Sequence, residues 1–118
     1  MSDFNGADAG LERHHKSLLL DFYGAMLTDH QRECFSLYNE DDNSLTEIAA
    51  EMNITPQGVS DMLKRTTKKL ESYEIKLGLV QRYMLQQDTA NYMRSLIEPL
   101  AEPTRKNLLS QLDALLRM

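Results

Sequence analysis

The side chains best suited to chemistry lie in one short stretch of the chain, between residues 57 and 68. This stretch carries an amide, a hydroxyl and three cations: Gln57, Ser60, Lys64, Arg65 and Lys68. A glutamine can hydrogen-bond to the edge of an adenine, and a serine can reach a base or a phosphate. Lysine and arginine bind DNA phosphates without reading the sequence. These five residues are therefore candidate DNA contacts, although the basic ones can equally form the solvated side of a long helix.

The segment that must position these side chains is predicted to be two short helices joined by a tight turn. Ser44 and Glu47 have the spacing of a capping box, in which each side chain accepts a hydrogen bond from the other residue's backbone N–H. Asn53 tolerates the left-handed conformation that such a turn requires. Thr55 is the expected N-cap of the second helix, and Pro56 suits the first helical position.

Apolar residues recur at helical spacing on both sides of this turn. The expected inward residues are Ile48, Ala49 and Met52 on the first helix, and Val59, Met62 and Leu63 on the second. Ala49 is small enough for a close approach of the two helices, so we expect Val59 to be buried against it. The pattern predicts a helix-turn-helix, the motif that places its second helix in a DNA major groove.

The composition is that of an ordinary globular protein of one-domain size. The chain has 118 residues, of which 42% are hydrophobic and 26% are charged. It has only three prolines and five glycines, which favours an all-α fold with extended C-terminal helices. The sequence predicts no membrane insertion and no signal peptide. Cys34 is the sole cysteine, so no disulfide can form within the chain, and a cytoplasmic location is expected.

The charge is negative overall but unevenly distributed. The net charge of −5 argues against general affinity for nucleic acids. Residues 28–54 carry seven acids and one arginine, whereas residues 55–76 carry five bases and three acids. The basic helix could bind DNA, and the acidic segment before it could equally bind a partner with a basic surface. The charge pattern supports the second interpretation at least as well as the first.

The rest of the chain is predicted to be helical after an N-terminal tail. We expect residues 1–10 to be disordered, residues 11–80 to form the helix-turn-helix domain, and residues 81–118 to form a C-terminal helical extension. The first helix should run from about Leu11 to Leu27, and Thr28 should cap the second. The predicted inward faces are Leu18, Leu19, Phe22 and Met26 in the first helix, and Cys34, Leu37 and Tyr38 in the second.

A seven-residue repeat predicts that the second motif helix continues well beyond the motif. Its apolar positions are Leu63, Leu70, Leu77 and Met84, with Thr66, Tyr73 and Val80 interleaved. Gly78 weakens that helix and marks a bend. Further helices are expected from about Asp88 to Ile97 and from Pro103 onward. This apolar surface predicts either a homodimer through the C-terminal helices or a monomer whose last helix folds back over the repeat.

Two stretches resemble known protein families. Residues 27–70 resemble region 4 of bacterial sigma factors, including the Leu-Thr-x-x-Gln sequence at 27–31. Residues 18–77 more closely resemble the YlxM family (UPF0122) of Gram-positive bacteria. The distinctive pieces are Asp21-Phe22-Tyr23, Leu27-Thr28-Asp29, Asp41-Asp42-x-Ser44-Leu45, Lys64-Arg65-Thr66 and Leu70-Glu71-x-Tyr73-Glu74.

The resemblance implies a fold and a cellular context. The fold would be sigma region 4-like, within the winged-helix-like DNA-binding superfamily. Genes of the YlxM family typically lie beside that of the signal recognition particle GTPase, which implies an accessory or regulatory role in protein targeting and particle components as partners. Where sigma factors carry the residues that contact promoter DNA, this chain has Gln57, Ser60 and Asp61, so it departs from the sigma pattern there.

These features together predict a regulatory DNA-binding protein and not an enzyme. The sequence contains no phosphate-binding loop, catalytic triad or paired-carboxylate motif, and no cofactor is expected. No metal site is expected either, because His14, His15 and His30 lack ligand spacing. Cys34 is expected to be a buried structural thiol. The alternative is an adaptor that does not bind DNA and whose helix-turn-helix scaffolds a protein- or RNA-binding surface.

Overall fold

The computed structural model describes the backbone of residues 6–118 and the side chains of residues 12–118. Within that part of the chain all regular secondary structure is helical, which confirms the predicted all-α fold. The helices are α1 (Gly6–Tyr23), α2 (Asp29–Asn39), α3 (Leu45–Met52), α4 (Pro56–Leu77), α5 (Leu79–Ile97) and α6 (Thr104–Leu116), with a 3-10 turn at Gly24–Met26. The predicted disorder of residues 1–10 falls partly outside the described residues, and α1 begins at Gly6.

The chain divides into two compact units, Met1–Val80 and Gln81–Met118. The first unit contains α1 to α4 and has two buried apolar clusters. One cluster joins α1, α2 and α4 to the start of α5 through Leu18, Leu19, Tyr23, Leu27, Phe35, Leu70 and Val80. The other joins α2, α3 and α4 through Cys34, Ile48, Ala49 and Val59. Both α2 and α4 contribute to the two clusters, and half-buried Leu63 of α4 packs against both of them.

The inward face of α1 differs from the predicted one near its C-terminus. Phe22 and Met26 were expected inside, but both are exposed, whereas Tyr23 and Leu27 are buried. Met26 is exposed because α1 ends at Tyr23 and the chain continues as a 3-10 turn, so the α-helical spacing does not extend to it. Within α1, Tyr23 takes the inward position in place of Phe22, because it packs against Tyr73 and Glu74 of α4. Thr28 then caps α2 in a reciprocal capping box with Gln31.

The inward face of α2 differs from the predicted one in which aromatic residue it contains. Cys34 and Phe35 are buried, and Leu37 is half-buried. The prediction that Tyr38 faces inward is wrong, because its side chain is exposed. The C-terminal end of α2 is fixed to α1 by polar contacts instead. The amide of buried Asn39 donates to Ser17 Oγ at 2.9 Å.

The long seven-residue repeat is interrupted at Gly78. This residue has φ 64° and ψ 24°, a left-handed conformation that ends α4, and its N–H donates to the carbonyl of Glu74 at 2.8 Å. The prediction of a continuous seam is therefore wrong beyond Leu77, and both Leu77 and Met84 are exposed. The next helix begins at Leu79, not at Asp88 as expected.

The start of α5 is held by side chains from earlier in the chain. The first amides of a helix have no partner within it. Here Leu79 N–H donates to Tyr23 Oη at 3.1 Å, and Val80 N–H donates to Glu74 Oε1 at 3.0 Å. Tyr23 Oη in turn donates to Glu74 Oε1 at 2.5 Å. Burial and the hydrogen bond to Glu74 raise the pKa of Tyr23, so the hydroxyl stays protonated as a donor.

The second unit contains most of α5, together with α6. Its buried cluster consists of Ala90, Ile97 and Leu112, with Leu109 and Leu116 packed against it. The second unit also has ion pairs between Arg94 and Asp113 at 3.5 Å, and between Arg105 and both Glu98 at 3.0 Å and Glu102 at 3.7 Å. Exposed pairs of this kind contribute little, roughly 0–1 kcal/mol each. Apolar packing therefore provides most of the stability of the second unit.

Thr66 is the weak point in the buried side of α4. Its side chain is fully buried, and its hydroxyl has no hydrogen-bond partner among the described residues. An unsatisfied buried hydroxyl costs about 1–3 kcal/mol. We expect Thr66→Val, which keeps the shape and removes the hydroxyl, to raise the free energy of unfolding by about 1 kcal/mol.

Denaturant unfolding followed by circular dichroism measures this effect. Thr67→Val is the matched control, because Thr67 is adjacent, half-buried and lines a solvent-accessible groove. The control should change the free energy of unfolding by no more than about 0.5 kcal/mol. Equal effects of the two substitutions would contradict an unsatisfied hydroxyl at Thr66.

Candidate nucleic-acid interface

The first helix of the motif begins with the reciprocal capping that its sequence encodes. Ser44 Oγ accepts from Glu47 N–H at 3.1 Å, and Glu47 Oε1 accepts from Ser44 N–H at 2.8 Å. Both bonds satisfy donors that would otherwise lack partners at the helix terminus. The start of α3 is therefore fixed by contacts between residues three positions apart.

The turn between α3 and α4 is made by Asn53. It has φ 59° and ψ 44°, the left-handed conformation that asparagine tolerates better than most residues. The N–H groups of Asn53 and Ile54 both donate to the carbonyl of Ala49, which closes the end of α3. The chain therefore reverses over few residues and leads directly into α4.

Helix α4 begins at a second side-chain cap. Thr55 Oγ1 accepts from Gly58 N–H at 3.0 Å, and Pro56 occupies the first helical turn, where a missing N–H costs nothing. A Cβ at Gly58 would lie 3.2 Å from that same oxygen, so glycine leaves room for the cap. The orientation of the first turn of α4 is thus set locally.

Val59 joins the two motif helices on their inner side. It is fully buried in a cluster with Cys34, Ile48 and Ala49. Burial, with a smaller effect of nearby Glu33, raises the pKa of the Cys34 thiol. A thiol that is buried and protonated is a poor nucleophile, so Cys34 serves the packing of the motif.

Four of the five candidate contacts share one side of α4. Gln57, Ser60, Lys64 and Lys68 follow one another at intervals of three and four residues, which is the spacing of a single helical face. Arg65 lies about 100° around the helix from Lys64 and belongs to a neighbouring face. Gln57, Lys64, Arg65 and Lys68 are exposed, and Ser60 is half-buried.

The charges on this face are mostly available to a ligand. Lys64 and Lys68 form no ion pair with any described residue. Gln57 Nε2 donates to Asp61 Oδ1 at 3.0 Å, which orients the amide and leaves its oxygen and second N–H free. Asp61 therefore places a negative charge beside the amide, where it disfavours an approaching phosphate.

The same face borders a groove that the sequence did not predict. Its volume is about 590 Å³. The lining comes from α1, α2, α4 and the first residue of α3: Lys16, Phe35, Tyr38, Asn39, Leu45, Ser60, Leu63, Lys64, Thr67 and Lys68. Ser60, Lys64 and Lys68 thus belong to both the proposed DNA face and the groove. No local sequence signal could have identified Lys16 and Tyr38, because they reach the groove only through the packing of the helices.

Candidate metal-binding groups and membrane-spanning helices are both absent from the described residues. None of their histidine, cysteine and acidic side chains cluster in a group of three that could hold a metal ion. None of their helices combines the length and the apolar character needed to cross a lipid bilayer.

The fold and the capped turn define this chain as a helix-turn-helix protein. A family model for UPF0122, described as "Putative helix-turn-helix protein, YlxM / p13 like", matches residues 11–109. The chain belongs to the UPF0122 family, which confirms the resemblance seen in the sequence.

Three relatives from bacteria illustrate the match. A UPF0122 protein of Thermoanaerobacter pseudethanolicus is 46% identical over 89 residues, covering 75% of this chain and 76% of the relative. One from Lactococcus lactis subsp. cremoris is 43% identical over 97 residues, covering 80% and 81%. One from Caldanaerobacter subterraneus subsp. tengcongensis is 55% identical over 67 residues, covering 57% of each chain.

Proposed function

We propose that the protein is a regulator that binds duplex DNA through the exposed face of α4. The observation that carries this proposal is the capped α3–α4 motif, which presents Gln57 near the N-terminus of α4 and two unpaired lysines further along the same face. In helix-turn-helix proteins the N-terminal residues of the second helix contact base edges. Gln57 and Ser60 would meet bases, while Lys64, Arg65 and Lys68 would meet phosphates.

The proposal predicts different effects for the amide and for the lysine. Lys64→Ala should weaken binding to all duplexes alike and reduce the slope of log K against log salt by about 1, since one phosphate contact is lost. Gln57→Ala should instead relax the preference for particular sequences, because an amide contact to adenine is worth about 1–3 kcal/mol of discrimination. Fluorescence anisotropy at several salt concentrations, with duplexes selected from a random pool and with the upstream region of the protein's own operon, measures both.

The matched control for Lys64→Ala is Lys106→Ala, because Lys106 is an exposed lysine on α6. This variant should bind DNA like the wild-type protein. Absence of any affinity of the wild-type protein for duplex DNA at low salt would refute the proposal.

We also propose that the protein acts in the cytoplasm, as part of the signal recognition particle pathway. The support is the gene neighbourhood that the YlxM resemblance implies. Pull-down from native lysate, with and without nuclease, tests this setting. Recovery of particle proteins or RNA supports it, and recovery of neither contradicts it.

A second function, that of an adaptor that binds another protein, is favoured by the groove. Its floor contains the apolar side chains of Phe35, Leu45 and Leu63. Outside its bases, DNA has no apolar surface as large as this floor, whereas a protein partner can present one. The DNA face and the groove overlap at α4, so the two functions can be separated by variants on the other helices.

Self-association through the C-terminal helices is also part of the proposal. Leu85, Tyr92 and Leu96 follow one face of α5 and are more than half exposed, at 59%, 65% and 55%. Leu108 and Leu115 form a similar exposed row on α6. A second copy of the chain would cover such rows and would bring two copies of α4 to one DNA site.

A further inference from the structure

We propose that the groove beside α4 is a docking site for an acidic amphipathic helix of a partner protein, and that such a helix and DNA exclude each other. The docking itself stands on the groove alone. The exclusion rests on the proposed DNA-binding function, because Ser60, Lys64 and Lys68 serve both ligands.

The lining of the groove combines apolar and cationic groups. Phe35 is almost fully buried and forms part of the floor with half-buried Leu45 and Leu63. Tyr38 also lines the groove and is 44% exposed, so its ring is accessible to a ligand. Bound water on this floor would be released by an apolar ligand, at a gain of about 25 cal/mol per Å².

Three lysines line the groove together with these apolar side chains. Lys64 and Lys68 are one turn apart on α4 and have no acidic partner among the described residues. Lys16 comes from α1, and its amine lies 3.3 Å from Glu12 on the same helix. Three lysines around an apolar floor select a ligand that has carboxylates beside apolar side chains. In a chain with a net charge of −5 such a local cluster of cations is an exception.

The groove is long enough to hold about two turns of a helix. From Ser60 to Lys68 the lining residues of α4 extend over about 12 Å, which is two turns of a helix. An amphipathic helix presents apolar side chains at intervals of three and four residues, with acids at similar intervals on the flanks of that face. Such a ligand would place leucines on the floor and carboxylates opposite both lysines. This corresponds to recognition of an amphipathic helix in a groove.

A synthetic peptide can test the docking directly. The probe is a fluorescein-labelled amphipathic helix of about five turns, built from leucine, alanine and glutamate. Its two matched peptides carry glutamine or lysine in place of every glutamate. We expect saturable binding of the acidic peptide, at least tenfold weaker binding of the glutamine peptide, and no binding of the lysine peptide in fluorescence anisotropy.

Variants assign the binding to the groove. Tyr38→Ala removes an apolar wall on α2 that lies outside the proposed DNA contacts, and it should weaken peptide binding about tenfold while leaving DNA binding unchanged. Lys68→Glu should weaken both. The controls are Ile75→Ala and Lys106→Glu, which alter an exposed apolar residue and an exposed lysine outside the groove and should change neither.

The outcomes separate this proposal from the DNA-binding proposal. Peptide binding that depends on Tyr38 and Lys68, in a protein without DNA affinity, supports the docking and refutes only the DNA function. DNA binding without peptide binding refutes the docking. Equal binding of the acidic and glutamine peptides also overturns the docking proposal. Saturable binding of dodecanoate, a small molecule with one carboxylate and an apolar chain, would overturn it too, because the groove would then be a small-molecule site. Loss of self-association in Tyr38→Ala would assign the groove to a second copy of the chain instead. Joint binding of peptide and DNA would overturn the exclusion.

Discussion

Replacing Val59 with aspartate is expected to unfold the first unit of the protein. Val59 is fully buried between α3 and α4, in contact with the cluster that contains Cys34, Ile48 and Ala49. A carboxylate at this position would be a buried charge without a partner. Such a charge costs several kcal/mol, which is comparable to the total stability of a small domain, about 5–15 kcal/mol.

Circular dichroism and thermal unfolding measure this effect. Val59→Asp should show no cooperative transition of the first unit, whereas Val59→Ala should unfold cooperatively with a loss of about 2 kcal/mol. Ala50→Asp is the charge-matched control, because Ala50 is exposed on α3. The control should lose less than about 1 kcal/mol, mostly from helix propensity. A well-folded Val59→Asp variant would show that the assigned inner face of α4 is wrong.

The second large effect concerns the assembly state of the protein. We expect the wild-type chain to sediment at twice its monomer mass of 13.6 kDa at micromolar concentration. Changing both Tyr92 and Leu96 to glutamate should give the monomer, because two carboxylates without a partner would then be buried in the interface between copies. The helices themselves should persist, since both side chains are already exposed.

Sedimentation equilibrium distinguishes the dimer from the monomer, and the measurement is made without DNA. Gln86→Glu, a change of charge at another exposed position of α5, is the control and should leave the dimer intact. A wild-type protein that sediments as a single 13.6 kDa species would refute the dimer. In that case α5 would be covered by the packing of Leu109, Leu112 and Leu116 of α6 against Ala90 and Ile97 alone.

The parts of the fold that could be predicted depend on residues close together in the sequence. The capping box of Ser44 and Glu47 and the turn at Asn53 are each formed by contacts between residues no more than five positions apart. Their residue types are sufficient to define the geometry, so the helix-turn-helix was predictable. The departure of Arg65 from the common face was also predictable, since each residue advances a helix by about 100°.

The parts that could not be predicted depend on residues that are distant in the sequence. The repeat that includes Leu77 and Met84 favoured one continuous helix, and only the left-handed conformation of Gly78 shows that α4 ends there. The choice of Tyr23 over Phe22 as the buried aromatic residue depends on packing against α4. The groove depends on four helices at once. The sequence therefore showed Lys64 and Lys68 as cations but not the apolar floor beside them.

The hydrogen bonds of Tyr23 and Glu74 have a consequence for the order in which the chain acquires its structure. Both side chains hold the first amides of α5, and Tyr23 lies 56 positions before Leu79. During synthesis α1 therefore emerges long before the residues whose amides it caps. The Leu79 N–H lacks its partner until α1 has packed against α4, so the complete capping of α5 follows the folding of the first unit and is lost when that unit unfolds. Folding of the first unit thus fixes the start of α5.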